Sequence, residues 1–357
     1  MNRVVFACAG SRKTSMLVED AIQLYKEGNR VLLLTYTVLN RQELEYRVIS
    51  QFGFLPSRIR IQTWLSFLLN ECARPYQNVH YNNRRIRGIT FVQGQSAQYI
   101  KETQIYGHFI EGKHSVYSDK LAKFALKCNA DSGGMVVNRL QQFWDYILID
   151  EAQDLASYDL DIVAMLFKSN MKLIVVGDVR QVVYSTHHAK RLSKFRKEKA
   201  IDFYRAAAEV GLCQVEERTE CYRSVQSICA FADRLYPDLP ETVSMYEGQT
   251  EHQGLFVVPM RKVVDYYEEY KPVVLCHSRR SNTKGIPSIN FGKSKGQTYL
   301  RTLVFPTKPI TNYLKTGDIA QLNDRHKFYV ALTRARESVA FATNVNSDFV
   351  NEYFESV

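Results

Sequence analysis

Three groups of side chains in this sequence have the types and spacing that phosphate chemistry requires. The first is Lys13 and Thr14, which follow the small residues Ala9, Gly10 and Ser11 at the end of a short apolar run. In such a turn, backbone N–H groups and the positive end of the following helix bind an anion. Lys13 would reach the β- and γ-phosphates of a nucleotide, and the Thr14 hydroxyl would hold Mg²⁺.

Position 12 departs from the usual phosphate-loop pattern. That pattern, Gly-x-x-x-x-Gly-Lys-Ser/Thr, has glycine where this chain has Ala7 and Arg12. Glycine beside the lysine lets the backbone curl around a phosphate without a Cβ atom. An arginine there must either strain the loop or turn its side chain outward, and a guanidinium turned inward would add a phosphate contact. We predict a loop that still binds ATP, at reduced strength; the alternative is an ordinary strand–turn–helix connection.

The second group is a pair of acids that follows an aliphatic run of strand length, residues 146–149. Asp150 can bind the Mg²⁺ that bridges the β- and γ-phosphates, and Glu151 can polarise the attacking water. Two adjacent acids on their own can simply begin a helix. Because this pair ends a buried strand in a chain with a Lys-Thr turn, it favours nucleotide hydrolysis.

The third group follows another buried run, residues 172–178. Gln181 would lie close to the γ-phosphate, and Tyr184 would link the nucleotide state to whatever stacks on its ring. The alternative is a surface loop.

These groups need elements that hold them at one edge of a sheet. The sequence predicts a strand before the first turn, a helix over residues 15–27 and a buried strand over residues 30–36, which together form a βαβ unit. It also predicts a helix over 40–52 and strands over 58–62, 146–149 and 172–178. The fold class is therefore α/β with parallel sheets.

Residues 77–134 interleave aromatic, basic and glycine residues without sustained periodicity before a helix near 120–127. We interpret this stretch as an insertion into the first domain. The alternative is a poorly patterned continuation of the core.

The composition favours a polyanionic partner. The chain has 357 residues, a net charge of +10 and a sequence pI of about 9.1. Basic residues cluster in Arg84-Arg85-Ile86-Arg87 and in the stretch 190–199. Each cluster alone is typical of a solvated face, so charge by itself does not establish nucleic-acid binding.

Cysteine use and hydropathy bear on the compartment. The seven cysteines include no C-x-x-C pair, which argues against a disulfide framework and a zinc ribbon. The longest apolar runs are too short to span a bilayer, and no signal peptide is expected. We therefore expect a reducing, cytoplasmic setting without a membrane partner.

Taken in order, the motifs resemble the UvrD/Rep group of superfamily 1 DNA helicases over residues 4–343. The strings that carry the resemblance are ACAGSRKT, LLTYTVLNRQELEYRV, IQTWLSF, ILIDEAQD, VVGDVRQVVY, CYRSVQSICAFADRLY, GKSKGQTY and FYVALTRARES.

The resemblance implies two RecA-like domains with ATP hydrolysis in the cleft between them. The expected first domain comprises residues 1–76 and 135–208, with a small inserted subdomain over 77–134, and the second domain comprises 209–357. The interval between Arg223 and Lys295 is too short for the large second-domain insertion of the family, so that insertion is expected to be absent.

The resemblance also implies roles for single residues on the nucleotide side. Tyr222 would stack on the nucleotide base, Gln181 would sense the γ-phosphate, and Arg223 and Arg334 would stabilise charge on the transferred phosphoryl group. The expected catalytic residues are Lys13, Glu151, Gln181, Arg223 and Arg334. The phosphate loop would bind ATP through Ala9, Gly10, Ser11, Arg12, Lys13 and Thr14, and Mg²⁺ would be bound by Thr14 and Asp150.

On the DNA side, aromatics at the carboxyl ends of strands would form stacking platforms in a basic groove. Core packing is the alternative for each aromatic, and for Trp64 in particular. The expected DNA-binding residues are Tyr36, Thr63, Trp64, Tyr184, Lys293 and Lys295.

The leading hypothesis is an ATP-dependent single-stranded DNA translocase or helicase, with 3′–5′ polarity implied by the family, acting on single strands or tailed DNA. A second is a nucleotide-sensing subunit that regulates a partner nuclease in phage defence, since compact relatives resemble the helicase subunit that is paired with an OLD-type nuclease in Gabija. A third is a degenerate protein that binds DNA or a partner without hydrolysis.

Overall fold

A computed structural model describes residues 1–82, 84–92, 94–182, 195, 199–278 and 281–357. The chain is a mixed α/β protein with parallel sheets, consistent with the RecA-like class that the sequence predicts. It divides into two compact units. The first comprises Met1–Phe6, Lys13–Val179 and the described part of Tyr184–Glu217; the second comprises Ala7–Arg12, the described part of Arg180–Val183, and Arg218–Val357.

The strands are β1 Asn2–Ala7, β2 Val31–Thr35, β3 Ile59–Thr63, β4 Gly88–Thr90, β5 Ser115–Tyr117, β6 Tyr146–Ile149, β7 Lys172–Gly177, β8 Cys213–Arg218, β9 Glu220–Cys221, β10 Val243–Ser244, β11 Gly254–Val258, β12 Val273–Cys276, β13 Ser288–Asn290, β14 Tyr299–Val304, β15 Ala335–Ala342 and β16 Glu355–Ser356. The α-helices are α1 Lys13–Lys26, α2 Val38–Phe52, α3 Trp64–Phe67, α4 Ile105–His108, α5 Leu121–Asp131, α6 Met135–Phe143, α7 Tyr158–Phe167, α8 Ala200–Glu209, α9 Gln226–Asp233, α10 Val263–Tyr270, α11 Lys308–Thr316, α12 Arg325–Leu332 and α13 Asp348–Tyr353.

The first unit is built on a six-stranded sheet in the order β3-β2-β6-β7-β1-β8. Every residue of β2 is buried, as its continuous aliphatic sequence predicts. Burial of each such side chain contributes about 1.5–3 kcal/mol. The parallel register pairs Ile149 of β6 with Val175 of β7, and Phe6 of β1 with Gly177. The residues that follow β6 and β7 therefore leave the sheet at the same edge, which is where the phosphate-type residues were expected.

Helix α2 shows how local sequence sets an element's bounds. The predicted helix over 40–52 begins slightly earlier, at Val38, because the Thr37 hydroxyl accepts a hydrogen bond from the Asn40 N–H at 3.1 Å. It ends at Gly53, whose φ of 77° closes the last turn.

After α3 the chain continues as a π-helix over Leu68–Ala73 and a 3₁₀ helix over Arg74–Val79. The helical stretch therefore changes its hydrogen bonding twice between Trp64 and Val79. The stretch predicted as an insertion contains the short parallel pair β4–β5 and helix α5. It groups with the first unit and is not a compact unit of its own.

Strand β8 differs from the predicted domain boundary. The sequence favoured a break after residue 208, but β8 adds to the edge of the first sheet beside β1. The two units therefore divide between Glu217 and Arg218. The pairing of an edge strand with a strand 200 residues earlier in the chain leaves no local signal in the sequence.

The second unit carries a fully parallel six-stranded sheet in the order β13-β12-β14-β15-β11-β16. Its core contains buried aromatic side chains from α9, α11, α12 and β15, namely Phe231, Tyr313, Phe328, Tyr329 and Phe341.

All seven cysteines are free and buried. No helix in the described ranges is long and apolar enough to cross a membrane.

Candidate nucleotide-binding and nucleic-acid-binding residues

In the first unit, the start of α1 meets the residues that follow β6 and β7. The Thr14 hydroxyl donates to Asp150 Oδ2 at 3.1 Å, and Lys13 Nζ lies 3.9 Å from Asp178 Oδ2. Asp150 and Asp178 are only 5% and 1% exposed. The structure thus brings together the Lys-Thr pair and the first of the two acids, as the sequence predicts.

Asp150 has an unusual electrostatic environment. Burial, and after it the charge of Glu151, raise the pKa of Asp150 to about 7, against smaller opposing contributions that include the Thr14 hydroxyl and Lys13. A buried carboxylate beside a hydroxyl is a donor set that suits Mg²⁺, which binds one or two protein oxygens and completes its shell with phosphates and water. In the described part of the chain, no cluster of three His, Cys, Asp or Glu side chains could hold a metal ion alone. Thr14 and Asp150 are a donor set that fits an ion whose other ligands are phosphates and water.

Glu151 sits in a backbone conformation that glycine or asparagine would normally occupy. Its φ is 57°, and its carboxylate accepts a hydrogen bond from the Gln153 side-chain amide. Such strain is retained where the surrounding structure determines the position of a functional group. The Gln153 amide therefore holds the Glu151 carboxylate in the turn that follows β6.

Gln153 is a residue that the sequence analysis did not single out. It is 2% exposed, and its Oε1 accepts from the Asp178 N–H at 2.9 Å. A Cβ at Gly177 would lie 2.9 Å from the same Oε1 and 3.3 Å from the Gln153 backbone nitrogen, so glycine leaves room at the end of β7 for the turn that follows β6. Gln153 therefore positions both Glu151 and Asp178, and its only sequence signal was its place inside the string ILIDEAQD.

The Asp150 carboxyl leads to a pH prediction. Its folded pKa of about 7 lies above the ordinary value, so the folded chain binds the proton more tightly and loses stability as pH rises from about 4 to 7. Asp150→Asn should therefore raise the unfolding free energy of the nucleotide-free protein at pH 8 by at most about 4 kcal/mol, and its melting temperature should rise accordingly. Both increases should be much smaller at pH 5. Thermal unfolding of both proteins at the two pH values measures this. An equal difference at both pH values would contradict it.

In the second unit, Ala7–Arg12, which belong to the predicted phosphate loop, lie against β9 and the residues that follow it. The Tyr222 N–H donates to the Gly10 carbonyl at 2.9 Å. A Cβ at Gly10, whose φ is 80°, would lie 2.7 Å from Arg223 Cβ and 2.8 Å from Cys221 Sγ. Glycine is therefore required at position 10, and Arg223 is adjacent to the loop.

Arg12 has both a strained backbone and an outward-turned side chain, the two alternatives that its sequence position offered. Its φ of 62° is left-handed, which costs about 1–2 kcal/mol for a residue with a Cβ, and its side chain is exposed. The guanidinium carbon lies 4.3 Å from the centre of the Tyr222 ring, in a cation–π contact. Arg12 therefore covers a face of the ring that was expected to stack on a nucleotide base.

This arrangement predicts that Arg12→Gly binds ATP more tightly. Glycine adopts the left-handed conformation without strain and uncovers Tyr222, and about 1 kcal/mol corresponds to a roughly fivefold lower Kd. Titration with a fluorescent ATP analogue measures the change. Arg12→Ala is the matched control, since it removes the guanidinium and keeps the Cβ. Weaker binding by Arg12→Gly would show instead that the arginine itself contacts the nucleotide.

Gln181 and Arg334 meet within the second unit. Arg334 is 1% exposed, and its Nη2 donates to Gln181 Oε1 at 3.4 Å. Its Nε donates to the Val330 carbonyl at 3.0 Å, which fixes the side chain on α12. Arg223 Nη1 donates to the Thr333 carbonyl at 3.0 Å, so both predicted arginines contact the carboxyl end of this helix or the residue that follows it.

The residues expected to bind DNA lie in different environments. Tyr36 and Thr63 line a cavity of about 870 Å³ in the first unit. Lys293 is exposed in the second unit, and Lys295 Nζ donates to the Gln181 carbonyl at 3.3 Å. Tyr184 lies outside the described residues.

Trp64 requires a correction. It is 1% exposed, and its indole N–H donates to Asp159 Oδ1 at 2.7 Å. A buried ring offers no face to a base, so Trp64 packs in the core, the alternative that the sequence had left open. Whether an aromatic side chain at a strand–helix junction points into the core or to solvent depends on how the helix packs. The sequence around a single aromatic residue does not reveal that packing.

The wall of the 870 Å³ cavity also includes residues that the sequence analysis did not assign to a site. Arg74 follows the π-helix, while Arg87 and Phe91 come from the stretch predicted as an insertion. Phe91 is 74% exposed, which is high for a phenylalanine. Their only sequence signal was the interleaving of basic and aromatic residues.

Comparison with known proteins finds a family match over part of the chain. Residues 64–200 match the family described as the UvrD/REP helicase N-terminal domain. A search of curated proteins found no match. Among solved structures, the chain is similar to an arterivirus helicase, nonstructural protein 10, in a complex with DNA, with a TM-score of 0.49 and 13% sequence identity over 98% of this chain and 62% of that chain. This chain thus spans less than two thirds of the length of that helicase. The segment that matches this family contains Asp150, Glu151 and Gln181.

Proposed function

We propose that this chain is an ATP-driven motor that moves along single-stranded DNA, a translocase or helicase of the UvrD/Rep type. The observation that carries the proposal is the pairing of Thr14 with Asp150, beside Lys13 and Asp178, at one edge of a parallel sheet. Structural ion pairs alone do not require a hydroxyl directed at a buried carboxylate with a raised pKa.

The chemistry assigned to the first unit is phosphate binding and water activation. Lys13 binds the terminal phosphates, and displacement of Lys13 from Asp178 frees its ammonium for them. Thr14 and Asp150 would hold Mg²⁺, which would neutralise charge on the β- and γ-phosphates. Glu151, whose carboxylate is held by the Gln153 amide, orients and deprotonates the attacking water.

The chemistry assigned to the second unit is stabilisation of the transferred phosphoryl group. Arg223 lies against Gly10 of the phosphate loop, and Arg334 is hydrogen-bonded to Gln181. A guanidinium that neutralises the developing charge on phosphate raises the rate by about 10³–10⁵ where an arginine finger operates. Gln181 links this arginine to the presence of the γ-phosphate.

Nucleic-acid binding is assigned first to Tyr36 and Thr63, which line the large cavity. Base stacking on an aromatic ring contributes about 1–3 kcal/mol per base and tolerates any sequence, which is the behaviour that a motor requires.

Displacement of streptavidin from biotinylated single strands tests this function. The proposal expects ATP-dependent displacement from one end-labelled oligonucleotide and not from the other, because a motor moves in one direction. Displacement from neither end, in a preparation that binds the oligonucleotides, would contradict it.

A non-hydrolysing binding protein is the second candidate, because Arg12 covers Tyr222 and strains the loop. It differs from the motor by one observable: it binds ATP or DNA without releasing phosphate.

A further inference from the structure

A second cavity in the first unit is lined almost entirely by polar and basic side chains. It encloses about 490 Å³, and four of its lining residues are arginines: Arg74, Arg84, Arg85 and Arg139. We call it the arginine cleft. Asparagine side chains supply much of the remaining wall, and none of its described lining residues is acidic.

The loop that carries Arg84 and Arg85 is held in place by a buried glutamine. Gln77 is 5% exposed; its Nε2 donates to the Arg84 carbonyl at 2.9 Å, and its Oε1 accepts from the Ile86 N–H at 3.0 Å. Ile86 is fully buried. Because the backbone is fixed on its inner side, the exposed side chains of Arg84 and Arg85 point to solvent from a preorganised loop.

Arg74 also holds the same loop in place. Its Nε donates to the Ile86 carbonyl at 2.9 Å, its Nη2 donates to the Arg87 carbonyl, and its Nη1 donates to Asn70 Oδ1 at 2.6 Å. The guanidinium is therefore hydrogen-bonded only to neutral groups among these partners.

The positive charge of the cleft is only partly balanced within the unit. Arg139 pairs with Glu71 at 3.0 Å. Across the described ranges, Arg74, Arg84 and Arg85 form no ion pair with a carboxylate. Burial, and after it the charge of Arg85, lower the pKa of Arg74, as expected where like charges are gathered. Such a cluster is stabilised by an anion that neutralises it.

The neighbouring cavity indicates which anion. The arginine cleft and the 870 Å³ cavity share Asn70 and Arg74 in their walls, so the two cavities are neighbours in the first unit. The larger cavity presents Tyr36 and the exposed ring of Phe91. Aromatic faces beside a row of guanidinium groups suit a single-stranded nucleic acid, which has phosphates for the guanidinium groups and bases that stack on the rings. The carboxylates of an acidic protein would pair with the arginines but would not stack on the aromatic rings.

We infer that the arginine cleft binds the sugar–phosphate backbone of a single-stranded nucleic acid whose adjacent bases lie in the cavity of Tyr36 and Phe91. This inference rests on the proposed function and adds to it a binding track made largely by residues 70–82, 84–92 and 94. It assigns a role to the Arg84-Arg85 pair. From the charge of the sequence alone, this pair was typical of a solvated face.

The test is the salt dependence of binding, measured by fluorescence anisotropy with labelled oligo-dT and the full chain without nucleotide. Arg84→Ala/Arg85→Ala should weaken binding about tenfold at about 100 mM salt. It should also lower the slope of log K against log salt by about 1.4, since each phosphate contact on a single strand contributes roughly 0.7. The matched control is Arg261→Ala/Lys262→Ala, which removes two adjacent exposed charges from the second unit and should leave both values near wild type.

Three outcomes overturn the inference in distinguishable ways. If the cleft variant and the control bind oligo-dT equally well, the arginine cleft does not bind the nucleic acid, and the proposed motor function is unaffected. Competition by polyglutamate as strong as that by unlabelled oligo-dT would show a general anion surface. No binding of oligo-dT by the wild-type chain would contradict both the cleft and the proposed function. DNA-independent ATP hydrolysis should be unchanged in the cleft variant, because the cleft contacts no residue assigned to phosphate chemistry.

Discussion

Replacing Glu151 with glutamine is expected to lower the DNA-stimulated rate of ATP hydrolysis by about 10²- to 10⁴-fold, the usual contribution of a general base. The amide keeps the size of the side chain and can still hydrogen-bond to Gln153, so the local structure should survive. It cannot take a proton from water at neutral pH. Nucleotide binding should stay within a few-fold of wild type, because Lys13, Thr14 and Asp150 are untouched.

Glu209→Gln is the matched control, because Glu209 is exposed at the end of α8 and its replacement by glutamine removes the same charge. Steady-state phosphate release and a nucleotide titration give the two readouts. A Glu151→Gln enzyme that hydrolyses ATP at the wild-type rate would remove Glu151 from the mechanism.

The second large effect is expected for Arg223→Ala, which should lower kcat by about 10³-fold or more with little change in nucleotide affinity. The reason is that a group that stabilises charge developing in the transition state contributes to kcat and not to ground-state binding. Arg223 lies against Gly10 and is held by the Thr333 carbonyl, so the guanidinium has a defined position.

Arg336→Ala serves as its control, because Arg336 is an exposed arginine of the same unit that contacts Tyr246. Arg223→Lys adds a second comparison, since an ammonium keeps the charge without the planar fork of donors. Full activity in Arg223→Ala would assign the arginine a structural role only.

Much of the fold followed from patterns that are local in sequence. The aliphatic runs predicted β2, β6 and β7 close to their observed bounds, because a strand covered on both faces must be apolar throughout. The Thr37 cap and Gly53 stop set the ends of α2. The meeting of Thr14 with Asp150 followed from placing both at the carboxyl edge of one parallel sheet.

What the sequence could not predict depends on contacts between distant segments. The direction of the Trp64 ring is set by Asp159, which lies 95 residues later. The edge position of β8 depends on β1. The cleft formed by Arg74, Arg84 and Arg85 depends on Gln77, whose three backbone contacts organise a stretch without periodicity.

The partner nuclease stays a prediction of the resemblance to compact helicase subunits. It would require that ATP hydrolysis respond to a second protein, and a motor that reaches full turnover with DNA alone has no such requirement.

The most direct test of the central claim is ATP hydrolysis by the purified chain with Mg²⁺, measured with and without oligo-dT. The motor predicts turnover that rises at least tenfold when single strands are added and that Glu151→Gln abolishes. ATP binding without phosphate release, under conditions where oligo-dT also binds, would contradict it.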